Sequence, residues 1–239
     1  MNLQNKTAYI TGGTKGIGLG TAKVLLNAGM RVAISGRKLE DAQKAAAGLG
    51  DKNKIIGIQS DVTNFKDEQN AVRQILNHFG QLDVVLANAG LGIFAPADEL
   101  STEGWNQMIN TNLTGVFHTL KSTVEELKKS EGYFISLASL AGTNFFENGA
   151  GYNASKFGVV GFTQAAMLDL RKYNIKVSTI MPGSVATYFN NHIPDENDNW
   201  KIQPEDIGEL VLDLLKMNPR TLPSKIEVRP TRPGRNPSI

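Results

Sequence analysis

Tyr152 and Lys156 form the pair of side chains in this sequence with the most direct chemical meaning. They stand four residues apart, so a helix would place both on one face. A phenol has an ordinary pKa of about 10 and is a weak acid at neutral pH, but a neighbouring ammonium favours the phenolate and lowers that pKa. The pair therefore predicts a proton donor and acceptor at Tyr152, with Lys156 also able to hold a cofactor ribose.

Ser139 is the residue best placed to work beside this pair. It follows a predicted strand, and open α/β sheets bind their ligands beyond the carboxyl ends of strands. Its hydroxyl would hold a substrate oxygen next to Tyr152. Two alternatives remain at this point: Ser139 is an ordinary turn serine, or the less exposed Ser136 on the strand takes the role.

A glycine-rich run joins the first predicted strand to the first predicted helix. It reads Thr11-Gly12-Gly13-Thr14-Lys15-Gly16-Ile17-Gly18. Glycines in such a turn let the chain bend sharply, let the backbone approach a pyrophosphate and let the helix pack closely on the strand, while the helix N-terminus attracts phosphate. The spacing departs from the G-x-G-x-x-G fingerprint. A plain strand-to-helix turn is the alternative, but the position after the first strand favours a phosphate site.

The end of the second strand indicates which dinucleotide would bind. Sites for NAD usually carry an acid here to hold the ribose 2′-hydroxyl, whereas this chain reads Gly36-Arg37-Lys38 and has no acid before Glu40. A guanidinium attracts a 2′-phosphate and binds it with two hydrogen bonds. Arg37, with Lys15 from the glycine-rich turn, therefore favours NADP(H). The alternative is that Arg37 and Lys38 simply begin a solvated helix.

Two further strand ends carry residues suited to a cofactor. Asp61-Val62 follows the third strand, where the carboxylate can accept a hydrogen bond from an adenine amino group or cap the helix that follows. Asn88-Ala89-Gly90 follows the fourth strand, where small residues let backbone come close to a cofactor ribose or form a plain turn.

Alternating strands and helices must position these residues. The predicted strands are 7–10, 31–35, 54–59, 82–87, 132–137, 176–181 and 225–228. The predicted helices lie near 17–28, 38–48, 65–79, 102–130, 152–172 and 204–217. This alternation predicts an α/β fold: a doubly wound, parallel, seven-stranded sheet between two layers of helices, in one domain over 1–239. A polar stretch at about 183–203 predicts a substrate loop or lid, and 229–239 predicts a surface tail.

Composition narrows the class of protein further. The formal net charge of +2 gives no bulk attraction to nucleic acid or to a membrane surface. The chain has no cysteine, which excludes disulfide, thiolate and cysteine-ligated zinc chemistry. Polar residues interrupt the N-terminal segment, and no apolar run approaches about 18 residues, so we expect neither a signal peptide nor a spanning helix. A cytoplasmic protein is the simplest expectation.

Two other kinds of enzyme find no support in the sequence. A hydrolase of the nucleophile-elbow type would need G-x-S-x-G, which does not occur. His78, His118 and His192 are far apart and in no metal-ligand spacing, so no metal site is expected. His78, just before Phe79-Gly80, is instead typical of a helix C-terminus.

The chain resembles the short-chain dehydrogenase/reductases, a single-domain family with an extended Rossmann fold. The resemblance runs over nearly the whole sequence and rests on motifs in the family's order. They are Thr11-Gly12-xxx-Gly16-Ile17-Gly18, Asp61, Asn88-Ala89-Gly90, Asn112, Ser139, Tyr152-xxx-Lys156 and Pro182-Gly183. Each motif is weak alone, but their order on the predicted elements is highly specific.

The resemblance implies roles for four catalytic residues. Tyr152 would protonate the carbonyl oxygen as hydride arrives, Ser139 would orient that oxygen, and Lys156 would bind the ribose and lower the tyrosine pKa. Asn112 is similar to the position that holds a water leading protons to Lys156. The segment 182–187 is similar to one that cups the nicotinamide carboxamide, and Lys15 with Arg37 resembles the NADP-preferring subgroup.

The expected cofactor site combines the motifs with the resemblance, for NADP(H) with NAD(H) possible. It comprises Gly12, Thr14, Lys15, Gly16, Ile17, Gly18, Arg37, Asp61, Val62, Asn88, Ala89, Gly90, Tyr152, Lys156, Pro182, Gly183, Val185 and Thr187. The expected reaction is hydride transfer between the cofactor and a carbonyl or secondary alcohol. A catalytically silent NADP-binding module, regulatory or scaffolding, is the alternative; binding alone would not need a tuned phenol.

The remaining expectations concern the substrate and the assembly. Apolar and aromatic residues are expected to wall the pocket, namely Leu91, Ile93, Phe94, Leu140, Phe145, Phe146, Tyr188 and Phe189. We therefore expect an apolar ketone, aldehyde or 3-oxoacyl compound, although the chain lacks the glycine-rich ending common in the family's fatty-acid-synthesis reductases. No arginine or lysine for a substrate carboxylate is evident.

The resemblance implies a homodimer or homotetramer that pairs through 102–130 and 152–172. Candidates for the contact between subunits are Phe117, Leu120, Phe157, Val160 and Phe162.

Overall fold

Short runs rich in β-branched and aromatic residues form seven strands. The computed structural model describes residues 3–232, apart from the side chain of residue 191. The strands are β1 (Thr7–Ile10), β2 (Arg31–Gly36), β3 (Ile55–Gln59), β4 (Val84–Ala87), β5 (Tyr133–Leu137), β6 (Lys176–Pro182) and β7 (Lys225–Val228). The five central strands β1, β2, β4, β5 and β6 are buried over most of their length, as expected for strands with helices on both faces, whereas the edge strands β3 and β7 are partly exposed.

Within the described part of the chain, seven α-helices connect these strands. They are α1 (Gly16–Asn27), α2 (Leu39–Ala47), α3 (Phe65–Phe79), α4 (Thr102–Met108), α5 (Gly115–Ser130), α6 (Ala150–Leu170) and α7 (Pro204–Lys216). Within residues 3–232, none of the helices has both the length and the apolar character needed to cross a membrane.

The strands form one parallel sheet in the order β3-β2-β1-β4-β5-β6-β7. This confirms the predicted doubly wound α/β fold. The order reverses at β1: the chain first winds outward through β2 and β3, then crosses back to β4. Connections after β1 and β4 therefore leave in opposite directions, and a crevice opens between them at the carboxyl ends of the strands.

Two apolar layers, one on each face of the sheet, hold the helices. Alternate residues of a strand point to opposite faces, so Ile10 and Leu86 join the layer under α1 and α7. Tyr9 and Val85 join the layer under α3, α5 and α6. Every one of these four side chains is fully or almost fully buried. The layers fix the strand ends from which the crevice residues project.

The predicted single helix over 102–130 is wrong. A six-residue π-helical segment, Ile109–Thr114, separates α4 from α5. A π-helical turn carries one extra residue in the helix and is common at functional sites. Here it contains the buried Asn112, whose side-chain hydrogen bonds are described below. Hydrophobic periodicity carries no signal for such a local change in hydrogen bonding.

Smaller differences concern boundaries and the loop at 183–203. Several predicted ends shift by one or two residues; α6 begins at Ala150 rather than 152 and ends at Leu170, followed by a 3-10 turn. The loop is more structured than expected. It contains two 3-10 turns and is closed by a parallel bridge between Val185 and Ile202. Of the tail predicted over 229–239, residues 229–232 are described, and the part from 233 onward lies outside the described residues.

A buried carboxyl group lies beneath the end of the crevice near β2 and β3. Glu68 of α3 is fully buried and accepts hydrogen bonds from the Tyr9 hydroxyl at 2.9 Å and the Ser60 hydroxyl at 2.6 Å. The Tyr9 hydroxyl also lies 3.1 Å from the Ser35 hydroxyl. Burial raises the pKa of Glu68 above its ordinary value of 4.5, although its hydrogen bonds oppose that shift.

This raised pKa makes the contribution of Glu68 to stability fall as pH rises. Above pH 4.5 the unfolded chain loses this proton before the folded protein does, so unfolding becomes more favourable up to the folded pKa. We therefore compare the melting temperature of the wild type minus that of Glu68→Gln at two pH values. This difference should be about 2–4 °C lower at pH 8 than at pH 5, which corresponds to a loss of roughly 1 kcal/mol of stability.

Differential scanning calorimetry at both pH values measures this change. Glu99→Gln, at an exposed glutamate, is the matched control and should show no such change relative to the wild type. An equal difference between wild type and Glu68→Gln at both pH values would mean that the buried carboxyl does not resist ionisation.

Candidate active site

A cleft of about 1680 Å³ occupies the crevice at the carboxyl ends of the strands. It exceeds the roughly 300–1,000 Å³ typical of a site for one small ligand, so it has room for a dinucleotide and a second molecule. Every predicted catalytic and cofactor residue lines it except Gly18 and Asn112, which lie directly behind its wall. The structure thus brings together residues spread from Gly12 to Thr187.

The glycine-rich turn brings backbone to the surface of this cleft. Gly12 and Gly16 have φ angles of +63° and +56°, which residues other than glycine rarely adopt. A Cβ atom on Gly12 would lie 2.9 Å from the Ala89 Cα. A Cβ on Gly18 would lie 2.8 Å from the Gly12 carbonyl oxygen, so this glycine lets α1 pack against the turn. The cradle fits a phosphate group that needs close approach to backbone at a helix N-terminus.

Asn88 holds this turn in place. Its side-chain amide donates to the carbonyl oxygens of Thr11 at 2.8 Å and Gly12 at 3.0 Å. In return, the Thr11 hydroxyl accepts from the backbone N–H groups of Asn88 and Ala89 at 3.0 and 3.1 Å. The sequence suggested only that small residues follow β4 and gave Thr11 no role of its own. These four hydrogen bonds join the ends of β1 and β4.

The part of the cleft near the end of β2 carries exposed positive charge. Arg37 and Lys15 both line it and are both exposed, and Lys15 lies 5.6 Å from the centre of the Tyr188 ring. Gly36 is packed so closely that a Cβ would lie 2.7 Å from the Thr14 Cγ2. Arg37 thus follows β2 directly, and Lys15 belongs to the turn that packs on Gly36, in a region where the sequence places no acid before Glu40.

Asp61 and Val62 form the wall next to this charge. Asp61 accepts hydrogen bonds from the backbone N–H and the hydroxyl of Thr63, at 2.9 and 2.8 Å. It does not cap α3, because the N-cap is Asn64, whose side chain accepts from Lys66 N–H. The Val62 carbonyl oxygen lies 2.9 Å from His118 Nδ1, so this histidine fixes the wall.

Tyr152 and Lys156 lie one turn apart on α6, and both are buried. Lys156 Nζ lies 5.7 Å from the centre of the Tyr152 ring and donates to the Leu137 carbonyl oxygen at 3.0 Å. Burial lowers the pKa of Lys156 to about 8. Burial raises the pKa of Tyr152 to about 12, with a hydrogen bond from Ser139 opposing the shift. Desolvation therefore sets the direction of the Tyr152 pKa shift, and the lowering expected from Lys156 is not seen.

Ser139 lies at the N-terminus of a 3-10 turn, Leu140–Gly142, just beyond β5. Its hydroxyl accepts from Ala141 N–H at 3.1 Å and donates to the Pro182 carbonyl oxygen at 3.4 Å. It is also close enough to the Tyr152 hydroxyl to lower the pKa of that phenol. Ser136, the alternative, is fully buried within β5 and donates to the Ser178 carbonyl oxygen. Of the two serines, Ser139 lines the cleft.

Asn112 supports the wall of the cleft from the π-helical segment. Its side chain accepts from Leu91 N–H and donates to the Leu91 carbonyl oxygen, both at 2.8 Å. Its amide also donates to the Ser155 hydroxyl at 2.9 Å. The side chain is fully buried and ties the chain after β4 to α6. Its main contacts are thus with protein groups, and the water-holding role implied by the resemblance stays a prediction.

Aromatic rings surround the tyrosine on its open side. The rings of Phe94 and Phe189 lie 5.5 and 5.6 Å from that of Tyr152, and Phe146 lies 5.7 Å from Phe94. Of the eight residues expected to wall the pocket, six line the cleft. Ile93 packs against the cluster that contains Tyr152, and the exposed Phe94 meets the edge of the Tyr152 ring. These partly exposed rings form an apolar surface beside the phenol.

The loop that carries Phe189 is fastened by Asp198. This buried carboxylate accepts from His192 Nε2 and Lys201 Nζ, both at 2.5 Å. These hydrogen bonds lower the pKa of Asp198 to about 2. His192 and Lys201 also line the cleft, as do Trp200, Arg229 and Arg232, none of which the sequence singled out as site residues. Within the described part of the chain, no group of three or more acidic or histidine side chains could hold a metal ion.

The comparisons with known proteins agree with this geometry. The family model described as short chain dehydrogenase matches residues 6–198. An uncharacterised oxidoreductase of Staphylococcus saprophyticus is 30% identical over 233 residues, 96% of this chain and 99% of the relative. A similar oxidoreductase of Staphylococcus aureus is 31% identical over 229 residues, 95% of this chain and 98% of the relative.

Two solved structures with bound nucleotides are similar over the same length. An alcohol dehydrogenase from Thermococcus sibiricus, complexed with 5-hydroxy-NADP, has a TM-score of 0.90 at 29% identity, covering 96% of this chain and 99% of that chain. A 3-ketoacyl-(acyl-carrier-protein) reductase from Brucella melitensis, complexed with NADH, has a TM-score of 0.88 at 25% identity, with the same coverage.

The Asn88 amide is a testable support of the glycine-rich turn. We expect Asn88→Ala to weaken NADPH binding about tenfold, because two partly buried carbonyl oxygens lose their donor and the turn relaxes. Calorimetric titration measures the Kd, and circular dichroism checks the fold. Asn106→Ala, at an exposed asparagine of the cleft rim, is the matched control and should bind as the wild type does. Unchanged affinity in Asn88→Ala would mean that the turn holds its shape without this amide.

Proposed function

Since this chain belongs to the short-chain dehydrogenase family and is an oxidoreductase of that type, we propose that it transfers a hydride between NADP(H) and the carbonyl or alcohol carbon of an apolar substrate. One observation carries the proposal: Tyr152, one helical turn from Lys156, lines the same cleft as Ser139 and the glycine-rich turn. A proton donor thus faces the space that a dinucleotide and a substrate would share.

The proposed roles follow from the contacts of each side chain. The nicotinamide, when bound, supplies or accepts the hydride. Tyr152, with a pKa of about 12, keeps its proton at neutral pH and donates it to the carbonyl oxygen during reduction. Ser139 donates a hydrogen bond that orients that oxygen. Lys156, with a pKa of about 8, is mostly protonated at pH 7 and stabilises the phenolate that remains.

The choice of NADP(H) rests on charge at the end of β2. Arg37 and Lys15 are exposed along the cleft wall, and a guanidinium binds a phosphate with two hydrogen bonds. An acid that would hold the 2′-hydroxyl of NAD is missing from this part of the sequence. The two similar structures carry an NADP derivative and NADH, respectively, so the family likeness leaves both cofactors open and the proposal depends on these side chains.

An apolar ketone or aldehyde is the proposed substrate class. The aromatic surface beside Tyr152, formed by Phe94, Phe146 and Phe189, offers contact area to an apolar body and few hydrogen bonds to a polyol. A 3-oxoacyl compound fits the same description. A silent cofactor-binding module is less well supported, because such a module gains nothing from burying a phenol beside a serine and a lysine.

Assembly through α5 and α6 completes the proposal. Phe117 and Phe157 are exposed on these helices, and Phe157 stacks on the exposed Phe145 with ring centres 5.2 Å apart. Leu120 belongs to the core, and Val160 and Phe162 pack against it. We therefore propose a homodimer or homotetramer with Phe117 and Phe157 in the contact.

Arg37 provides the test of cofactor choice. We expect Arg37→Ala to weaken NADPH binding about tenfold and to leave NADH binding within about twofold, because only NADPH carries the 2′-phosphate. Calorimetry with each nucleotide measures both values. Lys38→Ala removes the neighbouring charge, which does not line the cleft, and should change neither affinity. Equal losses for both nucleotides would contradict the assignment.

Tyr152 provides the test of the reaction. We expect Tyr152→Phe to lower kcat for reduction of an apolar ketone by a factor of about 10²–10⁴, the range for loss of a general acid, while NADPH binding stays within about threefold. Stopped-flow or steady-state loss of NADPH absorbance measures kcat. Tyr188→Phe, which removes an exposed phenol of the same cleft, is the control. Turnover of Tyr152→Phe at the wild-type rate would overturn the mechanism.

A further inference from the structure

Basic side chains dominate the charged residues of the cleft. Those among the described lining residues are Lys15, Arg37, Lys156, Lys201, Arg229 and Arg232, whereas the acidic lining is Asp61. Lys15 and Arg37 flank the proposed phosphate site. Lys156 is buried beside Tyr152, and Lys201 is paired with Asp198 at 2.5 Å. Arg229 and Arg232 therefore remain as positive charges that neither the proposed cofactor site nor the proposed chemistry explains.

The backbone brings the segment that carries these two arginines to Gly183, which lies against the 3-10 turn after Ser139. Val228, the last residue of β7, pairs with Pro182 and accepts a hydrogen bond from Gly183 N–H at 2.8 Å. A Cβ on Gly183 would lie 3.1 Å from Leu140 Cδ1 and 3.4 Å from Pro230 Cδ. The chain after β7 thus runs along the 3-10 turn that begins at Ser139, on the substrate side of the cleft.

Most of the positive charge at this position is not neutralised. Arg229 Nη2 lies 3.0 Å from Glu227 Oε2, but both side chains are about half exposed, where such a pair is worth little. Glu227 does not line the cleft. Among the residues that the structure describes, none forms an ion pair with Arg232. A ligand in the cleft therefore meets a net positive edge next to an apolar aromatic wall.

We propose that Arg229 and Arg232 bind a carboxylate of the substrate, so that the preferred substrates are carbonyl compounds with an apolar body and an acid group. This inference rests on the proposed function and narrows its substrate class. A planar guanidinium group matches the geometry of a carboxylate. Few acidic side chains here compete with a bound ligand for the two arginines. The aromatic rings take the apolar body, and Tyr152 with Ser139 takes the carbonyl oxygen.

Matched acids and esters test the carboxylate site. Phenylglyoxylate, benzoylpropionate and benzoylbutyrate place the acid at increasing distance from a phenyl ketone, and their methyl esters lack the charge. With NADPH, we expect at least one acid to have a kcat/KM about tenfold above that of its ester, as a charge-assisted hydrogen bond would give. In the double variant Arg229→Ala/Arg232→Ala this preference should vanish, with ester turnover and NADPH affinity within about twofold of the wild type.

A matched control and a binding measurement separate the possible failures. Arg220→Ala removes an exposed arginine outside the cleft and should keep the preference. Calorimetric titration of Tyr152→Phe, loaded with NADPH, measures binding of each acid and ester without turnover. Esters reduced as well as acids would overturn the carboxylate site but leave hydride transfer standing. If the acids bind and this binding is lost when the two arginines are replaced, the carboxylate site is supported even without turnover. An absence of ketone turnover would then count against the proposed function alone.

Discussion

The side-chain amide of Asn88 connects two strands from which the chain departs in opposite directions. The crevice exists because the connections after β1 and β4 diverge, although the two strands stay paired up to the hydrogen bond from Thr11 N–H to the Leu86 carbonyl oxygen. Beyond that point the Asn88 amide and the Thr11 hydroxyl hold the two departing segments together with four hydrogen bonds. The glycine-rich turn, the ribose-side segment after β4 and, through Leu91, the support from Asn112 all take their relative positions from this junction.

Burial acts on Tyr152 and Lys156 in opposite senses, and both shifts favour the uncharged form. Removing water raises the tyrosine pKa to about 12 and lowers that of the lysine to about 8. A phenol in this setting keeps its proton until an acceptor is close, which suits a group that gives its proton to a carbonyl oxygen. After the transfer a phenolate is left in a buried position, where its charge is unfavourable. The Lys156 ammonium, one helical turn away, is the simplest means of stabilising it.

The sequence was most informative where residue type alone limits geometry. Strand-helix alternation predicted the sheet, and the spacing of Tyr152 and Lys156 placed them on one face of α6. The π-helical segment around Asn112 could not be predicted, because apolar periodicity does not report a single inserted residue. Arg229 and Arg232 resembled a surface tail, because only the pairing of Val228 with Pro182 brings that part of the chain back to the cleft. Likewise, the Asn88 amide pairs with backbone from residues far away in sequence, which no local pattern records.

The bridge between Val185 and Ile202 has a consequence for how the protein can diversify. Residues between them leave and rejoin the sheet region at one point, and Asp198 fastens them internally through His192 and Lys201. Thr187 and Tyr188, at the start of this segment, lie against the glycine-rich turn, whereas the part from Phe189 onward does not enter the proposed cofactor site. Changes in length or composition of that later part therefore need not disturb α7 or the glycine-rich turn, so substrate preference can change through one stretch of chain while the rest of the fold stays the same.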